Sequence, residues 1–156
     1  MFLFRVCDVL SAAGLRFAIA GGYAVALHGA VRGTIDVDLV IHLREEDFSR
    51  TEQALLSLGL RPRLPVTAAE VFRFRDEYIR KRNLLAWSFS NPANPAEIVD
   101  ILIAEDLARH RITKVKLQGR ELPLLSRKDL IEMKTRSGRP QDLEDVAALK
   151  RLEALK

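Results

Sequence analysis

A single cysteine, Cys7, stands among the 156 residues, which excludes an internal disulfide and any cysteine-based metal cluster. It lies among Phe4, Val9 and Leu10 and reads as a small buried hydrophobe. So little cysteine points to a reducing, cytoplasmic setting. No apolar run approaches the roughly 20 residues that a membrane span needs, so no membrane is expected as a partner. The opening stretch MFLFRVCDVLSAAG has no basic start of the signal-peptide kind, and Arg5 and Asp8 interrupt its apolar residues. It reads instead as an amphipathic first helix. Internal repeats, low-complexity tracts and long linkers are missing too.

The composition present is that of an ordinary globular protein, 48% hydrophobic and 29% charged. The length suits one domain, residues 1 to 156, with a real core. Charge is uneven along the chain. Residues 1 to 60 hold 5 basic against 7 acidic side chains, and residues 61 to 156 hold 20 against 14. The basic excess is too small to establish nucleic-acid binding. It does suit a polyanionic substrate steered toward cations held by an acidic N-terminal site.

Hydrophobic spacing predicts helices at 2 to 13, 23 to 29, 45 to 58, 67 to 82, 126 to 137 and 140 to 155. Strands are predicted at 16 to 20, 35 to 42, 84 to 90 and 96 to 103, and residues 112 to 125 read as a hairpin turning at Gln118-Gly119. Pro140 fits the first turn of the last helix. Helices and strands mix without a regular βαβ rhythm. The expected class is therefore α+β (mixed α/β), a short mixed sheet with flanking helices. Residues 1 to 125 would form the α/β core and 126 to 156 a C-terminal helical pair.

The strand at 35 to 42 has strict parity. Ile35, Val37, Leu39 and Ile41 face one way, and Asp36, Asp38, Val40 and His42 the other. Two carboxylates at i and i+2, with Cα atoms roughly 7 Å apart, can converge on one or two cations. Two-metal phosphoryl-transfer sites hold their ions about 3.5–4 Å apart. Hard oxygen ligands of this kind select Mg²⁺ or Mn²⁺. A lone Asp-x-Asp also suits a solvent-facing strand, so a third acid matters. Asp100 interrupts the apolar run EIVDILI and is costly to bury without a cation or hydrogen-bond donors. On an adjacent strand it becomes a third ligand or a base for an attacking hydroxyl; a strand-end position or an arginine partner is the plainer alternative.

Between strand and helix, Gly21-Gly22 either makes a tight turn or lets a phosphate approach backbone N–H groups closely. Arg32 and Thr34 precede the acidic strand, within reach of phosphates. Lys134 is the best basic candidate for a triphosphate contact. Asp142 and Asp145, in the first turn of the last helix, are explained by the helix dipole. His28 reads as structural and Trp87 as core, and the aromatic-basic segment at 72 to 82 as a solvated helix face laced by Asp76–Arg80 and Glu77–Lys81 pairs.

The order strand, Gly21-Gly22, helix, Asp36-Val37-Asp38, then Asp100 on a later strand resembles the nucleotidyltransferase superfamily typified by DNA polymerase β. The longer patterns GGYAVALHGAVRGTIDVD and GRPQDLED, with His28-Gly29, Arg32, Thr34 and residues 138 to 145, are similar to small prokaryotic nucleotidyltransferase-like proteins. Those are akin to the abortive-infection toxin nucleotidyltransferases. The resemblance spans nearly the whole chain and implies a nucleotidyltransferase fold. It implies Gly21 and Gly22 on the triphosphate, Asp36 and Asp38 on two Mg²⁺, and Asp100 completing the metal that activates the acceptor. The activity implied is metal-dependent transfer of a nucleoside monophosphate from an NTP to a hydroxyl of RNA, protein or a small molecule. A toxin–antitoxin pair, with an antitoxin partner, is one setting. Two other readings stand beside it: a non-catalytic nucleotide- or partner-binding protein with the same fold, and a Mg²⁺-dependent phosphohydrolase, which would not need the Gly-Gly element. The NTP, the acceptor and the oligomeric state, a dimer included, stay open.

Overall fold

The computed structural model describes residues 1 to 155. Its first helix, α1 (Phe2–Ala12), buries Leu3, Phe4, Val6, Cys7 and Leu10, the one-sided stripe expected of an amphipathic helix. Cys7 is packed as a hydrophobe. Burial above all, and then the charge of Asp8, push its thiol up to about 12 against the opposing pull of Arg120. Strand β1 (Phe17–Ala20) is buried throughout and passes directly into helix α2 (Gly21–Leu27). Next come β2 (Val37–Ile41), α3 (Glu45–Ser57), β3 (Arg61–Pro62), α4 (Ala68–Arg73) and α5 (Arg75–Arg82). The hairpin β4 (Ala86–Asn91) and β5 (Asn94–Leu102) leads through a 3₁₀ turn at Leu107–Arg109 to a second hairpin, β6 (Ile112–Leu117) and β7 (Arg120–Leu125). Helices α6 (Arg127–Ser137) and α7 (Pro140–Ala154) complete the described chain. Gly138, in the left-handed region at φ 67°, separates them.

The strands form one mixed sheet in the order β3-β4-β5-β2-β1-β7-β6. The β2–β5 and β1–β7 pairs are parallel and the other four antiparallel. This is the expected α+β class with a mixed sheet. Among the described residues, no helix is long and apolar enough to cross a membrane.

Local departures from expectation have physical causes. Strand β2 starts at Val37, two residues later than its parity suggested, and Ile35 is left 60% exposed ahead of it. Only Val37, Leu39 and Ile41 of that apolar set reach the core. The helix expected at 67 to 82 is two helices. Thr67 and Glu70 close a capping box at the start of α4, and the chain leaves helical geometry at Phe74 (φ −102°, ψ 17°) before α5 begins. Helix α5 buries no residue, as a solvated helix should, and Asp76 and Arg80 pair on it at 3.6 Å. Strand β3 was not expected. At two residues it carries no periodicity, and Pro62 is tolerated because β3 lies at the sheet edge.

Odd-numbered residues of β4 point to an aromatic cluster beneath the sheet. Phe48 of α3 stacks on Trp87 with ring centroids 5.6 Å apart, Phe89 meets Trp87 edge-on at 4.7 Å, and Phe72 of α4 meets Phe48 at 5.4 Å. Truncating a buried phenylalanine removes transfer free energy and leaves a cavity. Phe48→Ala is expected to lower stability by about 3–5 kcal/mol in urea titration. The emission of Trp87, the single tryptophan, should shift to the red in the folded variant.

Candidate active site

The sheet register builds a row of side chains across four strands. Ala20 of β1 is opposite Asp38 of β2, Asp38 is opposite Asp100 of β5, and Asp100 is opposite Ser88 of β4. Side chains at equivalent positions of neighbouring strands share a face, so Asp38 and Asp100 stand side by side. Ser88 donates a hydrogen bond through Oγ to Asp100 Oδ1 at 2.5 Å. Asp36 lies just ahead of β2, where its carbonyl accepts from the Thr34 hydroxyl at 3.5 Å.

Crowded carboxylates in a half-buried place resist ionisation. Burial first, then the charges of Asp100 and Asp36 and a hydrogen bond with Asp100, push the Asp38 carboxyl up to about 7, against the pull of Lys134. Asp36 is raised as well, by burial and then by the charge of Asp100, while Arg63 draws it back.

The two glycines are the counterpart of this crowding. Gly21 has φ 60°, and a Cβ added to it would sit 1.8 Å from Asp38 Oδ2. A Cβ on Gly22 would come within 2.8 Å of Thr34 Cβ and Oγ1 and 3.3 Å of Arg32 Cζ. The strand–Gly-Gly–helix turn is thus the seat into which Asp38, Thr34 and Arg32 fit. Side chains occupy the space that the missing β-carbons leave.

The remaining predicted residue, Lys134, joins this group through α7. Its Nζ lies 2.9 Å from Asp145 Oδ2 and 3.5 Å from Asp142 Oδ1. Arg32 Nε donates to Asp145 Oδ1 at 3.0 Å, and Gln141 Nε2 to the same oxygen at 3.1 Å. Asp145 and Asp142 are only 2% and 4% exposed, so they are not surface residues explained by the helix dipole alone. Burial would raise Asp142, but hydrogen bonds from Arg139 and Ser137 and the charges of Arg139 and Lys134 hold it below the usual carboxylate range. Buried charges of this kind persist only when paired. A signal was present in the sequence: Asp142, Asp145, Val146 and Leu149 are buried together on α7, and their i, i+3, i+4, i+7 spacing runs the acids into an apolar stripe.

Gly21, Gly22, Arg32, Thr34, Asp36, Asp38, Asp100 and Lys134 therefore belong to one neighbourhood. Arg63 and Ser88, which no motif singled out, belong to it too; the first acts on Asp36 by charge and the second on Asp100 by hydrogen bond. His28 makes a hydrogen bond of the kind expected, its Nε2 lying 2.8 Å from the Leu125 carbonyl oxygen. A cavity of about 880 Å³ opens elsewhere, beside Leu43, Ile79, Ile103, Glu105, His110 and Asp129, and none of the three acids lines it. Among the described residues, no three His, Cys, Asp or Glu side chains already stand as a cage for a metal ion. The register does set two hard oxygen donors, Asp38 and Asp100, side by side, the donor type that a divalent cation such as Mg²⁺ takes.

Two outcomes follow from this crowding. Gly21→Ala is expected to destabilise by more than about 1 kcal/mol, since both its φ and its space are wrong for a side chain. Adding Asp38→Ala should recover part of that loss in a double-mutant cycle, because the colliding carboxylate is gone. The raised Asp38 sets the pH dependence. Between roughly pH 4 and 7 the folded state keeps a proton that the unfolded chain has lost, so stability falls as pH rises through that window and levels off above it. Asp38→Asn should remove this decline, seen as a difference in Tm between variant and parent that widens from pH 4 to 7.

No family model matches the sequence, and no curated protein matches it either. Solved structures do match in three dimensions. ANT(2")-Ia in complex with adenylyl-2"-tobramycin superposes with a TM-score of 0.61 at 14% identity, covering 98% of this chain and 91% of that one. The lincosamide antibiotic adenylyltransferase LnuA with lincomycin bound gives 0.63 at 15% identity, covering 97% and 96%. An antigenic nucleotidyltransferase-like protein from Paracoccidioides brasiliensis gives 0.56 at 18%, covering 97% and 75%. At such identities the likeness speaks for architecture, and the architecture is the nucleotidyltransferase fold.

Proposed function

We propose that this protein is a metal-dependent nucleotidyltransferase that moves a nucleoside monophosphate from an NTP to a hydroxyl acceptor. The observation that carries the reading is the parallel register that sets Asp38 beside Asp100, next to the Gly21 turn, within a nucleotidyltransferase fold. Asp36, Asp38 and Asp100 would hold Mg²⁺ or Mn²⁺. Such ions, when bound, polarise the α-phosphate and offset the charge that develops on the departing pyrophosphate.

The chain's own residues divide the rest of the work. Asp100 accepts the proton of the acceptor hydroxyl. The hydroxyl oxygen then bonds to the α-phosphorus in line, and the bond from that phosphorus to the α–β bridging oxygen breaks to release pyrophosphate. Gly21 and Gly22 offer backbone to the triphosphate, with the Thr34 hydroxyl beside them. Arg32 and Lys134 supply positive charge from heads already oriented by Asp145, so less freedom is lost when the anion binds.

For the acceptor, a small-molecule hydroxyl is favoured over RNA or protein. The fold neighbours include one whose complex holds an adenylylated tobramycin and one with lincomycin bound, and this chain covers 91% and 96% of their lengths. An antitoxin partner remains a setting to test by co-purification with the product of a neighbouring gene.

The decisive experiment incubates the protein with each α-labelled NTP, Mg²⁺ or Mn²⁺, and pools of small hydroxyl compounds, RNA and protein. Label transfer is expected to depend on metal and to fall at least 100-fold in Asp36→Asn and Asp38→Asn, the scale on which charge-stabilising groups act. Transfer that survives both substitutions would sink the mechanism. NTP binding without transfer to any pool would turn the reading toward a nucleotide-binding protein.

A further inference from the structure

We infer that Ser88 is a positioning residue for Asp100, fixing through its hydroxyl the orientation in which that carboxylate meets a cation and the acceptor. The inference rests on the nucleotidyl-transfer reading and adds to it a residue that no motif marks.

The geometry is specific. Ser88 and Asp100 are directly opposed in the antiparallel β4–β5 ladder, and Ser88 Oγ donates to Asp100 Oδ1 at 2.5 Å. A hydroxyl-to-carboxylate bond of that length is among the stronger hydrogen bonds a protein makes. The terminal torsion of an aspartate is broad and roughly two-fold, so an unrestrained Asp100 would exchange its oxygens freely. With Oδ1 tied to Ser88, the carboxylate is held in one orientation beside Asp38, where a cation would take the place of their hydrogen bond.

Ser88 is itself held still. Its carbonyl accepts from the Arg63 backbone N–H at 2.9 Å, on the side away from β5. The residues on either side, Trp87 and Phe89, point to the opposite face and are 2% and 0% exposed. The serine backbone therefore cannot shift without disturbing the aromatic cluster. A carboxylate with such a fixed outer partner is presented to a cation in one orientation, and losing such partners typically weakens metal affinity about 10- to 100-fold.

The test compares Ser88→Ala, Ser88→Thr and Asp100→Asn with the parent protein. Mn²⁺ binding is measured by calorimetry in the absence of NTP, together with Tm and, for label transfer, the separate kcat and NTP KM. Ser88→Ala is expected to keep Tm within a few degrees, to weaken Mn²⁺ binding roughly 10-fold or more, and to lower kcat with little change in KM. Ser88→Thr keeps the hydroxyl on a strand-compatible side chain and should restore Mn²⁺ affinity. Should Asp100→Asn lose Mn²⁺ while Ser88→Ala binds it like the parent, the Ser88 role is overturned and the function above stands. Equal losses in Ser88→Ala and Ser88→Thr would overturn it as well, since the effect would then be packing and not the hydroxyl. Unaltered Mn²⁺ binding by Asp100→Asn would instead remove the three-acid site on which both readings rest.

Discussion

Two carboxylates side by side on parallel strands are an expensive arrangement, and much of this structure is arranged around that one contact. Asp38 faces Asp100 because β2 and β5 pair in parallel with Val37 opposite Val99. A slip of β2 by one residue would turn Asp38 to the opposite face, into the layer that holds Val99 and Ile101, and would lift Val37 and Leu39 out of it. Those four buried side chains therefore hold the acids in register from behind. The Gly21 turn yields the space in which Asp38 fits, and Ser88 holds Asp100 from the far side.

Opposite the acids, the structure collects positive charge without leaving it loose. Arg32 comes from the loop before β2 and Lys134 from α6, and Asp145 of α7 binds both. A buried lysine persists only with partners for its charge. Here the carboxylates of Asp142 and Asp145 pair with Lys134, whose charge also acts on Asp38. The same contacts fasten α6 and α7 to the loop that carries Thr34 and Asp36.

Much of this was legible in the chain. Parity in IDVDLVI turned Asp38 away from the core, though Asp36 lies ahead of the strand, and the cost of burying Asp100 in EIVDILI announced that it had company. The Gly-Gly turn was visible as a turn, and Arg32, Thr34 and Lys134 as candidates. What stayed hidden was set by tertiary contact. The burial of Asp142 and Asp145 depends on a helix docking against a loop over a hundred residues away, which no local rule for helix N-termini contains. Ser88 is one small polar residue in AWSFSN until the ladder sets it against Asp100. Ile35 continues the alternation of β2 in sequence, yet β2 begins only beyond it, and alternation alone does not say where a strand finds its neighbour.

The distances along the chain have a kinetic meaning. Arg32 and Asp145 are separated by 113 residues, and Ile19 pairs with Leu124 across the sheet's second parallel seam. Contacts so remote form only after long loops have closed, and topologies built on them fold slowly. On a ribosome, α1, β1 and β2 emerge long before the segments that complete the acidic row and its cationic wall. The nascent chain thus carries Asp36 and Asp38 without their partners, and Arg32 and Lys134 meet Asp145 only when α7 has been made and has docked.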